Sequence, residues 1–381
     1  MAGRMRASAC EEAWVGQSRE TAFHAITSTK AAGFMEEAGW LWVTNYGDVD
    51  AEYRAVRDGV GMWDLSPLNK WEFRGPEALE ATQRVHTNDV LGMHDGQVRY
   101  GAFVDEDGLV VDDGTVFRHS AEQLWVCTNG NEHADYFADA TKGLEVEIAY
   151  IAPELPSMQI QGPQSRDLVR SIVSGADVDA LRYFTFFPDP VTIGGAPVWL
   201  SRTGFSGELG YELFLRPEHA TAVWEVVEDA GATPYGVDII EPVRVETGMV
   251  VTDYDYEPHR RTPYDLGLDR LVALDGDGAF MGKEQLRAVA GDPPNRLVTI
   301  RLEGTTLPEY GAAVTAGGED AGVLTSPAVS PRLGALGLAI LRTEMAAPGA
   351  GVEVAMPDGT SIGGTVDVLA VYDPKKQRPR A

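Results

Sequence analysis

Hydrophobic and polar positions along most of this chain alternate between two periods, one typical of short strands and one typical of helices. Apolar residues at helical spacing predict a helix over residues 50–59. A strand predicted over residues 70–73 is followed by Gly75-Pro76, which opens a helix because proline is tolerated in a first helical turn. The same order recurs as a strand over 157–161, Gly162-Pro163 and a further helix. The pattern predicts an α+β fold that contains two similar units.

The pattern changes after residues 291–294, Gly-Asp-Pro-Pro, beyond which helical spacing ends. Short strands are predicted at regular spacing over residues 297–302, 322–326, 335–341, 351–356 and 361–369. Such spacing is typical of a small barrel or sandwich. We therefore predict three regions, with a basic tail from Pro374 to Ala381 that is expected to fray. The three regions are a polar N-terminal extension over 1–30, two intertwined α+β domains over 31–290, and a small β-barrel or sandwich over 295–375.

One acidic residue, Glu212, interrupts an apolar strand. A turn rich in glycine and hydroxyl groups, residues 203–210, leads into the β-prone run 211–215. Because a strand alternates its faces, Glu212 points to the same side as Phe214. A carboxylate on an apolar face costs several kcal/mol unless it is paired, so a buried Glu212 needs a partner with donors. A heterocycle that carries an amino group and an N–H is suitable. The alternative is a solvated glutamate on an outer sheet face.

Two further carboxylates lie in a predicted hairpin. An Asp-Gly turn at residues 107–108 joins strands predicted over 100–104 and 109–117, and Asp112 and Asp113 lie inside the second of these. Alternation places them on opposite faces, so only one points into a given pocket. A single carboxylate beside a cavity can act as a general acid or base, or can anchor a ligand nitrogen. The alternative is a bulge or an edge strand with both carboxylates solvated.

Composition narrows the classes of partner. There are 31 basic and 58 acidic residues, and the net charge of −27 argues against nucleic acid or an anionic membrane. Two cysteines and seven scattered histidines predict no metal site. No run approaches a membrane span and no secretory signal is evident, so a cytoplasmic protein is expected. Trp40, Trp42 and Trp63 crowd one region and are candidates to line a pocket for a flat or cationic ligand, with core packing as the alternative.

Several motifs, in order along the chain, resemble those of the glycine-cleavage T-protein superfamily, which contains tetrahydrofolate-dependent aminomethyltransferases and demethylases. The resemblance runs from about Gly39 to Leu369. It implies three domains arranged as a cloverleaf around a central folate channel. The third of these is a C-terminal antiparallel β-barrel. The motifs are Asn45-Tyr-Gly47, residues 55–57 through Gly61-Met-Trp-Asp64, Asn88-Asp89, Tyr100 with Asp112-Asp113, Ile160-Gln-Gly-Pro163, residues 201–213, and Met281-Gly-Lys-Glu284.

The resemblance also implies roles for individual residues. Glu212 corresponds to the carboxylate that grips the amino edge of the pterin. Asp113 corresponds to the catalytic aspartate beside the reactive folate nitrogens. The remaining folate contacts implied in this way are Tyr100, Thr128, Asn131 and Tyr183. An onium donor would be stabilised by the faces of Trp40, Trp42 and Trp63.

Departures from the T-protein pattern favour the demethylase branch, which includes the dimethylsulfoniopropionate demethylases. Pro67 stands where the T-protein has histidine, and Ile240 stands where it has arginine. The expected function is therefore methyl transfer from a small methylated compound, on O, N or S, to N5 of tetrahydrofolate. No lipoyl carrier protein is expected as a partner, and the protein is expected to be a monomer or homodimer. The alternatives are a glycine-cleavage aminomethyltransferase and a folate-binding protein without enzymatic activity.

Overall fold

A computed structural model describes residues 18–130 and 133–381 of this chain. The helices in these ranges are α1 His24–Thr27, α2 Val49–Asp58, α3 Ala78–Val85, α4 Ala134–Ala140, α5 Ser165–Ile172, α6 Ala220–Asp229, α7 Ile240–Thr247 and α8 Lys283–Val289. The strands are β1 Gly33–Glu37, β2 Trp40–Asn45, β3 Gly61–Asp64, β4 Asn69–Arg74, β5 Val98–Val104, β6 Val110–Ser120, β7 Gln123–Thr128, β8 Glu147–Tyr150, β9 Ser157–Gln161, β10 Val173–Ser174, β11 Val191–Ile193, β12 Ala196–Ser201, β13 Gly210–Leu215, β14 Thr233–Pro234, β15 Asn295–Leu302, β16 Ala312–Ala316, β17 Glu319–Ser330, β18 Gly334–Arg342, β19 Gly351–Ala355 and β20 Ser361–Asp367.

Two sheets form the α+β region. A five-stranded sheet has the order β5-β6-β7-β4-β8, and a seven-stranded sheet has the order β10-β11-β12-β13-β9-β3-β14. Strand β3 comes before every strand of the smaller sheet in sequence, whereas β9 to β14 follow it. The five-stranded unit is therefore inserted between two parts of the larger unit, so the chain crosses from one unit to the other twice.

The repeated Gly-Pro element has the same backbone geometry in both units. Gly75 has φ +145° and Gly162 has φ +130°, values that side chains rarely tolerate. A Cβ at Gly75 would lie 2.5 Å from the carbonyl oxygen of Glu145, and one at Gly162 would lie 2.4 Å from that of Gly59. Glycine is required at both positions because another backbone segment passes directly against the turn. The repeat seen in the sequence is thus a repeat of structure.

The C-terminal region is a closed antiparallel barrel with the strand order β15-β18-β17-β16-β19-β20. Its interior is filled by buried aliphatic side chains such as Ile300, Val314 and Leu324. The predictions of an α+β fold and of a C-terminal antiparallel barrel are confirmed. The pattern did not reveal β1, β2 or β16, because β1 and β2 are largely half-exposed and Ala312–Ala316 is rich in alanine.

The ordered fold begins before the predicted boundary at residue 31. Phe23 is fully buried and packs on Trp224 of α6 with ring centroids 5.6 Å apart. The backbone N–H of Arg19 also donates to the carbonyl of Gly39, at 2.8 Å. The second half of the predicted extension therefore belongs to the seven-stranded unit, and residues 1–17 lie outside the described ranges. Within those ranges, no helix is both long enough and apolar enough to cross a membrane.

Candidate active site

The two sheets and the barrel region surround one large cavity with a volume of about 1730 Å³. The five-stranded sheet contributes Tyr100 and Asp113 to its wall, and the seven-stranded sheet contributes Glu212. Tyr310 and Leu369, from the C-terminal region, also line it. A ligand in this central cavity would contact all three units. The volume exceeds the usual range of about 300–1,000 Å³ for small-molecule pockets, so there is room for two reactants.

Strand pairing places Tyr100 and Asp113 on one face of the five-stranded sheet. Tyr100 on β5 pairs with Thr115 on β6, and Asp113 precedes Thr115 by two residues, so the three side chains share a face. The hydroxyl of Tyr100 donates to Oδ2 of Asp113 at 2.7 Å. The hydroxyl of Tyr256, from the segment after α7, donates to Oδ1. Asp113 is only 5% exposed, so both carboxylate oxygens are held at fixed positions.

The environment of Asp113 prepares it to exchange a proton near neutral pH. Burial, together with the negative charge of Asp112, raises the pKa of Asp113 to about 7. The hydrogen bonds from Tyr256 and Tyr100 act in the opposite direction but do not offset burial. Burial and the negative charge of Asp113 raise the pKa of both tyrosine hydroxyls well above the usual value. The tyrosines are therefore neutral donors at every physiological pH.

The neighbouring Asp112 has the opposite character. It accepts from the backbone N–H groups of Asn129 (3.0 Å) and Gly130 (2.9 Å), from the Asn129 side-chain amide (2.9 Å) and from the hydroxyl of Thr252 (3.0 Å). A ring nitrogen of His133 lies 2.7 Å away. Burial alone would raise the pKa of Asp112, but these bonds, led by that of His133, outweigh it and lower the pKa. Asp112 therefore stays ionised.

Asp112 and Asp113 thus form a pair whose pKa values are driven apart, an arrangement typical of acid–base sites. Asp112 pairs with Phe103 and Asp113 with Ala102, so the two positions alternate along β6. Both aspartates nevertheless line the cavity, so the prediction that only one of them points into a given pocket is wrong. The alternative of two solvated carboxylates is not found, since Asp112 is fully buried. The reason is that the chain after Thr128 folds around this part of β6, and the Asn129 amide lies 2.9 Å from one carboxylate and 3.4 Å from the other.

Glu212 lies on the cavity side of the seven-stranded sheet. Trp63, Gln159 and Glu212 pair in register across β3, β9 and β13 and so share one face. Glu212 is half-buried, and the hydroxyl of Thr203 donates to its Oε2. Burial raises the pKa of Glu212, partly offset by that bond and by the positive charge of Lys70. Among the described residues, no hydrogen-bond donor reaches Oε1, which leaves it free for a ligand.

The amino-acid sequence matches the models of two protein-family domains. The model of the GCVT N-terminal domain matches residues 23–276, and that of the glycine cleavage T-protein C-terminal barrel domain matches residues 295–373. The chain belongs to the glycine-cleavage T-protein family. Proteins of this family use tetrahydrofolate as co-substrate.

Of three similar proteins, two are named aminomethyltransferases and one is named a trimethylamine-oxide aldolase. An aminomethyltransferase of Rubrobacter xylanophilus is 35% identical over 333 residues, which is 86% of this chain and 88% of that protein. An aminomethyltransferase of Streptomyces coelicolor is 33% identical over 343 residues, 87% and 91% respectively. A trimethylamine-oxide aldolase of Ruegeria pomeroyi is 31% identical over 388 residues, 96% of this chain but 48% of that protein.

A solved structure supports the fold. The glycine cleavage system aminomethyltransferase T from Bartonella henselae matches with a TM-score of 0.84 over 93% of this chain and 98% of that one. At 22% identity this match shows the three-unit architecture and no more.

The family-derived site residues occupy different places. Thr128 is buried at the end of β7, lines the cavity and donates to the carbonyl of Gly130 at 3.1 Å. Tyr183 lines the cavity beneath the guanidinium of Arg380, which lies 5.9 Å from its ring centroid. Asn131 lies outside the described residues.

Two of the three candidate tryptophans line the cavity and the third does not. Trp42 and Trp63 both line the cavity, with ring centroids 5.6 Å apart. Trp40 is 6% exposed, lies under the guanidinium of Arg19 at 5.4 Å, and is not among the described residues that line the cavity. Trp40 and Trp42 have different environments although both belong to β2, which pairs with β1 in a separate two-stranded sheet. Trp40 is therefore packed as a core residue, the alternative weighed for it from the sequence.

Sequence patterns missed several residues of the site. Tyr256 and Thr252 lie in an irregular segment without periodicity, and only tertiary folding brings them to the two aspartates. Asn129 had a weak signal, as a polar residue directly after a strand. The C-terminal tail, predicted to fray, is instead packed over the cavity. Its Lys376 donates to the carbonyl of Thr247 at 2.6 Å.

The donor set of the cavity fits tetrahydrofolate. The free oxygen of the Glu212 carboxylate, next to one that already accepts a bond, suits an adjacent amino group and ring N–H. Three cations that line the cavity, Arg270, Lys376 and Arg380, form no ion pair within the described ranges and suit the carboxylates of the folate tail. Burial and the positive charges of Arg270 and Arg380 lower the pKa of Lys376 to about 8, although the negative charge of Asp373 acts in the opposite direction.

Proposed function

We propose that this protein transfers a methyl group from a small methylated onium compound to N5 of tetrahydrofolate. The observation that carries the proposal is Asp113, a buried carboxylate with a pKa of about 7, in the same cavity as the carboxylate of Glu212. Tetrahydrofolate, when bound, supplies the nucleophilic nitrogen. Glu212 would hold its amino edge, and the cations of the C-terminal tail would hold its carboxylates.

The proton balance of methyl transfer matches the groups present. When an onium donor reacts, the bond from methyl to sulfur or nitrogen breaks and its electron pair stays on the leaving atom, which departs neutral. No acid is needed for the leaving group. The one proton to be placed is that of the attacking amine, and a carboxylate with a pKa near the working pH is suited to accept it. Asp113 takes that role, with Tyr100 and Tyr256 holding it in position.

Two features favour a methyl donor over an aminomethyl group on a carrier protein. Trp42 and Trp63 present aromatic surface in the cavity, which suits a compact onium cation. Ile240 lines the cavity where, by resemblance, the glycine-cleavage proteins have arginine. No lipoyl carrier protein is required in this proposal. The second candidate is aminomethyl transfer, which the names of the relatives at 33–35% identity favour.

The product distinguishes these candidates. The protein is incubated with tetrahydrofolate and with sulfonium or quaternary ammonium donors, and the folates are separated by chromatography with mass detection. The proposal expects 5-methyltetrahydrofolate and the demethylated donor in equal amounts. Formation of 5,10-methylenetetrahydrofolate from an aminomethyl-lipoyl carrier, with no methylated product, would establish the second candidate instead. Absence of tetrahydrofolate binding in calorimetry would refute both.

Changing Glu212 to glutamine is expected to weaken tetrahydrofolate binding by about 10- to 150-fold, the value of one hydrogen bond to a charged group. Glutamine keeps the size of the side chain but turns either an amide N–H or a neutral oxygen toward the ligand. Calorimetric titration with tetrahydrofolate measures the change. Glu225→Gln, an equal change of charge on an exposed face of α6, is the control and should bind as the wild type does. Unchanged affinity in Glu212→Gln would contradict the assigned role.

The rate of transfer should rise with pH and level off above about pH 7. Asp113 must be ionised to accept a proton, and its pKa is about 7, so each unit below that value lowers kcat about tenfold. The bond from Tyr256 lowers the pKa of Asp113, so Tyr256→Phe should move the midpoint to higher pH. Measuring kcat from pH 5.5 to 9 with both proteins tests this. A midpoint that is the same in both would argue against Asp113 as the titrating group.

A further inference from the structure

Two exposed tyrosines lie where the barrel region meets the rest of the cavity wall, and neither has a role in the reaction described above. Tyr254 and Tyr310 are 38% and 48% exposed, and their rings meet edge to face with centroids 5.6 Å apart. Both line the cavity, as does Trp42. Exposed aromatic rings that gather at the wall of a cavity are typical of a binding surface. The three come from β2, from the segment after α7 and from the loop before β16.

Carboxylates accompany these rings. Glu37 accepts from the hydroxyl of Tyr254 at 3.0 Å, and the carbonyl of Glu37 accepts from the indole N–H of Trp42 at 3.3 Å. Asp238 and Asp253 also line this cavity. Within the described parts of the chain, none of these three carboxylates forms an ion pair with a basic side chain. Glu37, which is bonded to Tyr254, therefore places a negative charge beside the aromatic surface without a counterion among the described basic side chains.

The basic residue closest to the rings does not supply that counterion. The guanidinium of Arg244 lies 5.6 Å from the ring centroid of Tyr254. It is paired with Glu241 at 2.7 Å and with Asp255 at 2.6 Å, and its side chain is 1% exposed. Two carboxylates thus already neutralise this buried cation. The charge left facing the cavity here is negative.

We propose that Tyr254, Tyr310, Trp42 and Glu37 form an entry subsite that recognises small, permanently methylated cations. A quaternary ammonium or tertiary sulfonium ion has no N–H to donate, so it is recognised by ring faces and by a carboxylate at short range rather than by directed hydrogen bonds. The subsite deepens the proposed function, because it selects the charge of the methyl donor. It also predicts that neutral methyl ethers are poor substrates.

Binding of cations can be measured without any turnover. Choline and 3,3-dimethylbutan-1-ol have nearly the same shape and differ in the charge of the quaternary atom. Each is titrated into the full-length protein by calorimetry at 0.15 M NaCl, with tetramethylammonium chloride as a second cationic probe. We expect both cations to bind and the neutral alcohol to bind at least tenfold more weakly. Equal affinity for choline and the alcohol would overturn the proposal, since an apolar pocket alone would explain it.

Variants locate the subsite. Tyr254→Ala and Tyr310→Ala should each weaken choline binding by about 2- to 30-fold, the range of a cation–π contact. Both side chains are partly exposed, so the thermal midpoints should stay close to that of the wild type. Tyr254→Phe keeps the ring and should bind nearly as the wild type does. Glu37→Gln should also weaken binding, whereas Glu36→Gln, on the other face of β1, should not. Wild-type affinity in all of the Ala and Glu37 variants would overturn the assignment.

The two proposals fail in different ways. If the protein binds choline as expected but forms no 5-methyltetrahydrofolate, the cation subsite stands and the proposed reaction does not. If methyl transfer proceeds but Tyr254→Ala and Glu37→Gln leave the ratio of kcat/KM for onium over neutral donors unchanged, the reaction stands and this subsite is refuted.

Discussion

Replacing Asp113 with asparagine is expected to lower kcat for methyl transfer by about 10²- to 10⁴-fold, the contribution of a general base. Asparagine has nearly the same shape and can still accept a bond from one of the two tyrosines, Tyr100 and Tyr256, while its amide N–H faces the other, but it cannot take up a proton. The affinity for tetrahydrofolate should change little, because Glu212 lies on a different sheet. Single-turnover kinetics with a saturating donor, together with calorimetric titration of tetrahydrofolate, separate the two effects.

The stability of this variant provides the control. The pKa of Asp113 is raised from 3.8 to about 7 in the folded protein, so between these values the folded state keeps a proton that the unfolded state has lost. As pH rises through about 7, the buried group becomes charged and stability is lost. Asp113→Asn avoids that charge, so at pH 8 its unfolding midpoint should be at least that of the wild type. A variant that folds in this way yet keeps wild-type kcat would refute the role of Asp113.

Replacing Arg57 with methionine is expected to destabilise the protein by about 3–5 kcal/mol, the effect of removing one partner from a buried ion pair. Arg57 is fully buried on α2, and its guanidinium donates to Glu246 at 2.7 and 2.9 Å and to Glu208 at 3.2 Å. Without it Glu246 loses its counterion among the described residues, and Glu208 keeps only Arg378 of the C-terminal tail, at 3.1 Å. Because Glu246 also accepts from Ser330 of the barrel, the loss is felt in both the larger α+β unit and the barrel.

Chemical denaturation followed by tryptophan fluorescence measures this effect. The matched control is Arg301→Met, which removes an ion pair to Asp367 at 2.7 Å whose partners are 44% and 29% exposed. Because solvent screens that pair, its loss should cost about 0–1 kcal/mol. If Arg57→Met were no more destabilising than Arg301→Met, the network around Arg57 would not be what joins the larger α+β unit to the barrel.

Much of the architecture could be predicted from local patterns. The hairpin that carries Asp113 depends on an Asp-Gly turn and an alternating strand, and both are properties of neighbouring residues. The same holds for Glu212, whose orientation follows from the alternation of β13. The hairpin of β1 and β2 was missed because β1 alternates only between partly and fully exposed positions, and the buried residues of β2 are three positions apart rather than two.

The chemistry of the site could be predicted only in part. The resemblance to the T-protein family predicts Asp113 as the catalytic residue. Of the two tyrosines that hold Asp113 in position, only one could be predicted from the sequence. Tyr100 is its neighbour across a hairpin, whereas Tyr256 is 143 residues away in an irregular segment. The choice between the two aspartates as proton acceptor also depends on groups outside the hairpin, since His133 and Asn129 lower the pKa of Asp112.

The sequence by itself determined the two-unit α+β region, the C-terminal region of short strands, and the positions of Glu212 and Asp113 on their strands. Each of these follows from periodicity, turn chemistry and the need to cover apolar faces, all of which act between residues close in sequence. Only the tertiary structure decided that these carboxylates share one cavity, that Trp40 packs away from it, and that the C-terminal tail covers it. Those outcomes depend on burial and on charges brought together from distant segments, which local patterns do not encode.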